Sequence, residues 1–274
     1  MNEHSHAPEA HHHHEHGSGQ GGSILAIRCP GGLSGDMLLS GLAVAHFGTA
    51  DLEPASSEAQ ERLNARIASI MPGISLRLVV KTVNGIAGWH AAIDLPHEHE
   101  HRNLEDIEKI IHASGMEEPA KRLAADCFRL LASCEAKAHH IPLEQVHFHE
   151  VGALDSILDI CAVCSLYVAL GEPQLYCSPL PVADGTITCA HGILAAPAPA
   201  VLHLLKGVPV RPFAGACDAG ELVTPTAISL LRTLNAHFGH WPEMLVEQTA
   251  IVYGGKIFKN APNGALFVLG KELG

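Results

Sequence analysis

The segment ILAIRCPGGLSGDMLLSGLAVAHF, residues 24–47, constrains the fold more than any other. An apolar strand over residues 23–29 runs into a Gly-rich turn, residues 30–36, and the turn runs into a helix over residues 37–47. A strand that passes directly into a helix is the building unit of an α/β domain. The exposed amides of such a turn suit an anion such as phosphate or carboxylate, here held at Gly32, Ser34, Gly35 and Asp36. The same residues also read as a tight connection with Ser34 or Asp36 as helix N-cap.

Further along, the pattern gives an amphipathic helix over residues 56–71, a strand over 74–83, a turn at Asn84 and Gly85, and a strand over 89–95. A helix follows that is capped by Asn103 and carries Ile107, Ile110 and Ile111 on one face. A long helix spans 119–139, a short one 200–206, and strands cover 245–252 and 265–269. Strands alternate with helices near the start and cluster towards the end. The expectation is an α/β fold, with mixed α+β as the other reading, in which helices flank a mixed sheet. Residues 1–22 form a disordered His-rich tail and residues 23–274 one domain.

The chain has 274 residues, 47% of them hydrophobic, enough for a sizeable core. A formal charge of −12 argues against nucleic acid or an acidic membrane as partner. No apolar run reaches the roughly 18 residues of a membrane span, and the amino terminus is not a secretion signal, so a cytoplasmic protein is expected. Eight Cys in a chain this long read as thiols, and Cys161 with Cys164, a C-x-x-C on an apolar helix, reads as a buried pair.

Histidine is the outlier in composition. There are 21, with seven in the first sixteen residues and three more at His97, His99 and His101. Neutral imidazole favours nickel, copper and zinc over hard cations. The irregular tract, interrupted by Glu3, Glu9 and Glu15, reads as a metal-collecting tail, with an expression tag as the plain alternative. In an extended segment His97, His99 and His101 share a face, either as metal ligands or as part of a solvated charged loop.

The most informative block is VHFHEVGALDSILD, residues 146–159. His147 and His149 share a face of a short strand, Glu150 follows, and Asp155 and Asp159 stand one turn apart on the next helix. Core packing explains three carboxylates poorly, because isolated buried charges are costly. Two imidazoles with these acids suit a divalent transition metal, and the spacing does not choose between nickel, zinc and manganese. His191, beside Gly192 at the end of a strand, is a proton shuttle, a ligand or a structural His. Thr224, in GELVTPT, caps a helix or binds an anion.

Six motifs taken together resemble the LarC-type nickel-insertion family, in family order. They are SGDM at residues 34–37, the His cluster ahead of NLEDI at 103–107, the 146–159 block, CSPLP at 177–181, AHGIL at 190–194 with its PAP, and GELVTPT at 220–226. Arg28 stands where the family carries an acid, and Gly31 where it carries Ser. The resemblance implies a nickel chelatase of the lyase class. Such an enzyme inserts nickel into pyridinium-3,5-bisthiocarboxylic acid mononucleotide to form the pincer cofactor of lactate racemase, consuming CTP with Mg or Mn.

On that reading the phosphate of the pincer precursor meets Gly32, Ser34, Gly35, Asp36 and Thr224. His147, His149, Glu150, Asp155 and Asp159 hold nickel, with His97, His99 and His101 feeding it, and His191 and Asp36 are the catalytic groups. Family members continue into a carboxy-terminal domain associated with the nucleotide. The expectation is therefore a separate carboxy-terminal LarC polypeptide as partner, and a homo-oligomer. A noncatalytic nickel-binding or metallochaperone paralogue is the alternative.

Overall fold

The computed structural model describes residues 22–48, 57–95, 102–148, 151–215 and 219–273. In chain order the elements are β1 (Ser23–Arg28), α1 (Gly35–Phe47), α2 (Ser57–Ile70), β2 (Ser75–Val83), β3 (Ile86–Asp94), β4 (Arg102–Asn103), α3 (Leu104–Ala113), α4 (Glu118–His139) and β5 (His147–Phe148). They continue with α5 (Leu154–Ala169), β6 (Gln174–Cys177), β7 (Leu180–Val182), β8 (Thr186–Cys189), β9 (Gly192–Ala195), α6 (Pro199–Leu204), β10 (Val210–Pro212), α7 (Pro225–Thr233), β11 (His237–Phe238), β12 (Met244–Val252) and β13 (Ala265–Glu272).

A seven-stranded mixed sheet runs in the order β11-β6-β1-β13-β12-β3-β2. The interior strand β1 is parallel to β6 and antiparallel to β13, which explains its apolar run: Ile24, Leu25, Ala26 and Ile27 are all buried. Helix α1 lies on β3, β12 and β13, and α2 on β2; α5 packs on both helices, and α4 packs on α5, α6 and α7. The α/β expectation with a mixed sheet flanked by helices is met. Among the described residues no helix is long and apolar enough to cross a membrane.

Several boundaries move for local reasons. Strand β3 starts at Ile86, three residues before the expected one. Asn84 and Gly85 both take positive φ, 52° and 80°, and this two-residue hairpin turn pairs Val83 with Ile86 at once. Strand β13 runs on to Glu272 because β1 and β12 pair with it on both sides. The strand expected to end at His191 is instead a hairpin, β8 with β9, and His191 lies in its turn beside Gly192 at φ 87°. Asn103 caps α3 in a reciprocal capping box with Asp106. Cys161 and Cys164 sit in the core on α5, and burial pushes the Cys161 thiol up to about 12.

One hydrogen bond joins the helical layer to the sheet at the edge that matters for the site. β12 meets β3 only at Val252 with Trp89, so the backbone of β3 beyond Trp89 needs another partner. The fully buried Ser40 of α1 supplies it, accepting from the Ala91 N–H at 2.9 Å while donating to the Asp36 carbonyl at 2.7 Å. Ser40→Ala leaves that N–H orphaned and is expected to cost about 1–3 kcal/mol, read from urea unfolding. A loss well below 1 kcal/mol would mean that α1 is held to β3 by packing alone.

Candidate functional site

The turn after β1 brings the start of α1 to the carboxyl end of the sheet. Leu33 donates to the Leu222 carbonyl and accepts from Thr224 N–H, both at 3.0 Å, and this clamps the start of α7 beside the start of α1. Gly32, at φ 116°, lies so close to the Leu222 carbonyl that a Cβ would collide with it. At Gly35 a Cβ would strike Asp159 Oδ2 and come within 2.9 Å of the Thr226 methyl. The glycines are required here for close approach of three elements. Ser34 occupies the N-cap of α1 but donates its hydroxyl to Asp36 and leaves the helix amides without a side-chain cap.

Two carboxylates occupy this junction. Asp36, in the first turn of α1, has Oδ2 3.8 Å from His90 Nδ1 on β3, and that nitrogen is 2.9 Å from the Tyr253 carbonyl. Asp159 of α5 is only 9% exposed, and its Oδ1 has no hydrogen-bond partner. Burial, then the negative charge of Asp36, then that of Asp155, raise its carboxyl well above the usual range. Asp155, one turn earlier, is exposed and accepts from the Ser156 N–H at 2.7 Å.

A cavity of about 240 Å³ opens between the last turn of α4 and the β8–β9 hairpin. Phe148, Val151, Ile187, Leu194, Val201 and Pro225 form its apolar walls; Glu135, His139, Cys189, His191 and Glu221 supply its polar groups. The rings of His139 and His191 lie 4.8 Å apart at 45°, His139 Nε2 is 3.6 Å from Glu135 Oε2, and Cys189 Sγ is 4.0 Å from His191 Nδ1. The cavity and the carboxylates are neighbours across α7, since Pro225 lines the one and Thr226 packs against the other.

The sequence-derived candidates therefore separate. Gly32, Ser34, Gly35, Asp36 and Asp159 converge, with Thr224 close by. Thr224 is the N-cap of α7, its hydroxyl accepting from Ala227 N–H at 3.2 Å. His191 is at the cavity. His147 is exposed on β5, paired with Asn103. His97, His99, His101, His149 and Glu150 lie outside the described residues, as does the tail over residues 1–21. Among the described residues no group of three or more His, Cys, Asp or Glu side chains is arranged to hold a metal ion.

Sequence reasoning missed His90, Glu135 and His139. His90 alternates along an ordinary strand, and nothing local marks it. Glu135 and His139 stand one turn apart on a helix that reads as amphipathic, so the i, i+4 acid–imidazole pair was the only signal.

The layout is that of an α/β domain in which helices begin at the carboxyl ends of strands. The chain belongs to the nickel insertion protein family, whose model matches residues 25–273. A relative from Myxococcus xanthus, assigned provisionally by its name to nickel insertion, is 38% identical over 251 residues, 90% of this chain and 60% of its own. In Staphylococcus epidermidis the pyridinium-3,5-bisthiocarboxylic acid mononucleotide nickel insertion protein is 35% identical over 240 residues, 87% of this chain and 57% of its own. The chain thus spans about three fifths of the length of the curated relatives it matches. No solved structure matches it significantly.

The raised carboxyl of Asp159 has a consequence for stability. Between the ordinary carboxylate value near 4 and the raised value, the folded chain keeps a proton that the unfolded chain has released. Stability from this group is therefore full at low pH and lost as pH rises through that window. Asp159→Asn is expected to remove this slope and to stabilise the chain at neutral pH by on the order of 1 kcal/mol. Urea unfolding of both proteins from pH 4 to pH 8 measures it; parallel profiles would show that Asp159 is solvated.

Proposed function

We propose that this chain acts as a nickel chelatase, a lyase that places nickel in a pyridinium bisthiocarboxylic acid mononucleotide, the substrate named for its Staphylococcus epidermidis relative. The observation that carries this reading is Asp159: a buried carboxylate whose Oδ1 has no hydrogen-bond partner, with a second carboxylate, Asp36, near enough to raise its pKa. Burying such a group costs several kcal/mol unless it is paired, and a divalent cation is the partner that compensates both acids at once.

In this reading nickel is a substrate that passes through. The exposed His147 and Asp155 meet it first, with His149, Glu150 and the His-rich segments as further collectors. Asp159 and Asp36 then receive it beside the start of α1. Insertion breaks a ring C–H bond and forms a carbon–nickel bond, the electron pair staying on carbon, while the two thiocarboxylate sulfurs also bind the metal. One proton leaves, and His191, in the adjoining cavity, takes it as general base.

In this reading CTP is not placed at the turn over residues 30–36, where Asp36 and Asp159 add negative charge. No step here uses it. The handling of CTP with Mg or Mn belongs, in this reading, to a separate carboxy-terminal LarC polypeptide acting with this chain, itself a homo-oligomer in the cytoplasm.

The test is nickel transfer to the apo-cofactor by the chain lacking residues 1–22, with a family carboxy-terminal domain, CTP and manganese supplied and lactate racemase activation as readout. His191→Ala is expected to lower the transfer rate by about 10²-fold or more with nickel affinity unchanged. Asp159→Asn is expected to weaken nickel binding itself. Tight nickel binding without any transfer would instead make the chain a noncatalytic nickel carrier.

A further inference from the structure

We propose that a cleft at the far end of α1 binds a phosphate-type oxyanion, at a site separate from the carboxylate pair. The inference goes beyond the function proposed above and does not depend on it. The cleft, about 370 Å³, lies between the last turn of α1, one face of α2, the start of α4 and Ser165 of α5. Asp36 and His46 stand at opposite ends of α1, which sets the cleft about 15 Å along the helix axis from the acids.

Charge is the first observation. The chain has 17 Lys and Arg residues against 29 Asp and Glu, so a concentrated positive patch runs against its overall balance. Arg62 and Arg66, one turn apart on α2, both line the cleft together with His46. Arginines elsewhere on the surface have carboxylate partners, Arg77 with Asp94 and Arg129 with Glu108 and Asp126. Among the described residues, Arg62 and Arg66 form no such ion pair, and the exposed Glu117 is the only acid lining the cleft. Burial, then the charges of Arg66 and Arg62, hold the His46 imidazole below its usual range. At neutral pH it therefore offers one N–H without added charge.

The second observation is that the donors are already held in place. Arg66 Nη1 donates to the hydroxyl of the buried Ser165 at 2.8 Å and to the Ser165 carbonyl at 3.4 Å. Both bonds use one terminal nitrogen, so the rest of the planar fork keeps the geometry that grips an oxyanion bidentately. The Ser165 hydroxyl, having accepted from Arg66, has its own proton to give. The Arg62 guanidinium lies 5.4 Å over the Phe47 ring, and that ring meets His46 edge-on at 4.6 Å. Side chains fixed before the ligand arrives lose less freedom when it binds.

The donor set selects the ligand class. Two guanidinium charges repel a cation and stay solvated beside an apolar group. A single carboxylate is satisfied by one fork and leaves the second arginine unmatched. A tetrahedral phosphate group carries enough charge and enough acceptor oxygens for both arginines, the imidazole and the hydroxyl. The volume lies at the lower end of the roughly 300–1,000 Å³ of small-molecule sites, which suits a diphosphate or a small organic phosphate. An anion seated there bridges α1, α2 and α5.

The experiment titrates inorganic diphosphate onto the full chain by calorimetry at neutral pH and low salt. Saturable binding is expected, weakened about tenfold or more by Arg62→Ala and by Arg66→Ala. Because Arg66→Ala also cuts the tie to Ser165, Arg66→Lys serves beside it. It keeps a charge and a donor but not the fork, and is expected to weaken binding with an unchanged thermal midpoint. Arg77→Ala, outside the cleft, is expected to leave affinity as it is. Comparison with ADP separates the sources of the phosphate: equal affinity assigns the inorganic anion, and tighter ADP binding assigns a nucleotide. No saturable binding of either probe, affinity untouched by folded Arg62→Ala and Arg66→Lys chains, or an equal loss from Arg77→Ala would each overturn the proposal and leave the two arginines to packing and solubility.

Discussion

A carboxylate buried without a hydrogen-bond partner is the constraint around which this fold is arranged. Asp159 lies against the first residue of α1 and the first turn of α7, and Gly35 has no side chain because Asp159 fills the space one would take. The second acid, Asp36, adds repulsion to the cost of burial. A domain that needed only stability would replace this group with an apolar one of similar volume at little cost. In the function proposed above, this geometry serves as a seat for positive charge and nickel is the cation.

The rest of the fold holds that junction rigid. β1, an interior strand buried from Ile24 to Arg28, fixes where the turn begins; the Leu33 pairing with Leu222 and Thr224 fixes α7 against α1; Ser40 ties α1 to β3, which carries His90. The loop after β12 closes the group, with the Tyr253 carbonyl on His90 and Lys81 donating to the Gly254 carbonyl at 2.7 Å. Sites carried on helix starts and strand ends are positioned more exactly than sites on long loops.

Much of this was legible in the sequence because it follows local rules. The apolar strand, the glycine turn and the Asn103 cap each depend on neighbours in the chain. The i, i+4 spacing of Asp155 and Asp159 was readable too, but not their different fates: one exposed, one buried, because burial depends on α1 and α7 arriving from elsewhere in the chain. The turn at residues 30–36 read as an anion cradle from its glycines alone. Gly32 and Gly35 also make close approaches to Leu222 and Asp159, which no spacing within the motif reveals. Glu135 and His139 join His191 only through long-range packing of α4 on the hairpin, which their i, i+4 spacing alone does not reveal.

The most direct test of the account is a double-mutant cycle on nickel affinity, with Asp36→Asn and Asp159→Asn made singly and together in the chain lacking residues 1–22. If the two acids hold one divalent ion between them, each single change removes most of the shared attraction, and the double variant loses much less than the sum, with a coupling of about 1 kcal/mol or more. Additive effects, or nickel affinity untouched by Asp159→Asn, would contradict the account and leave the buried carboxylate without the cation that explains it.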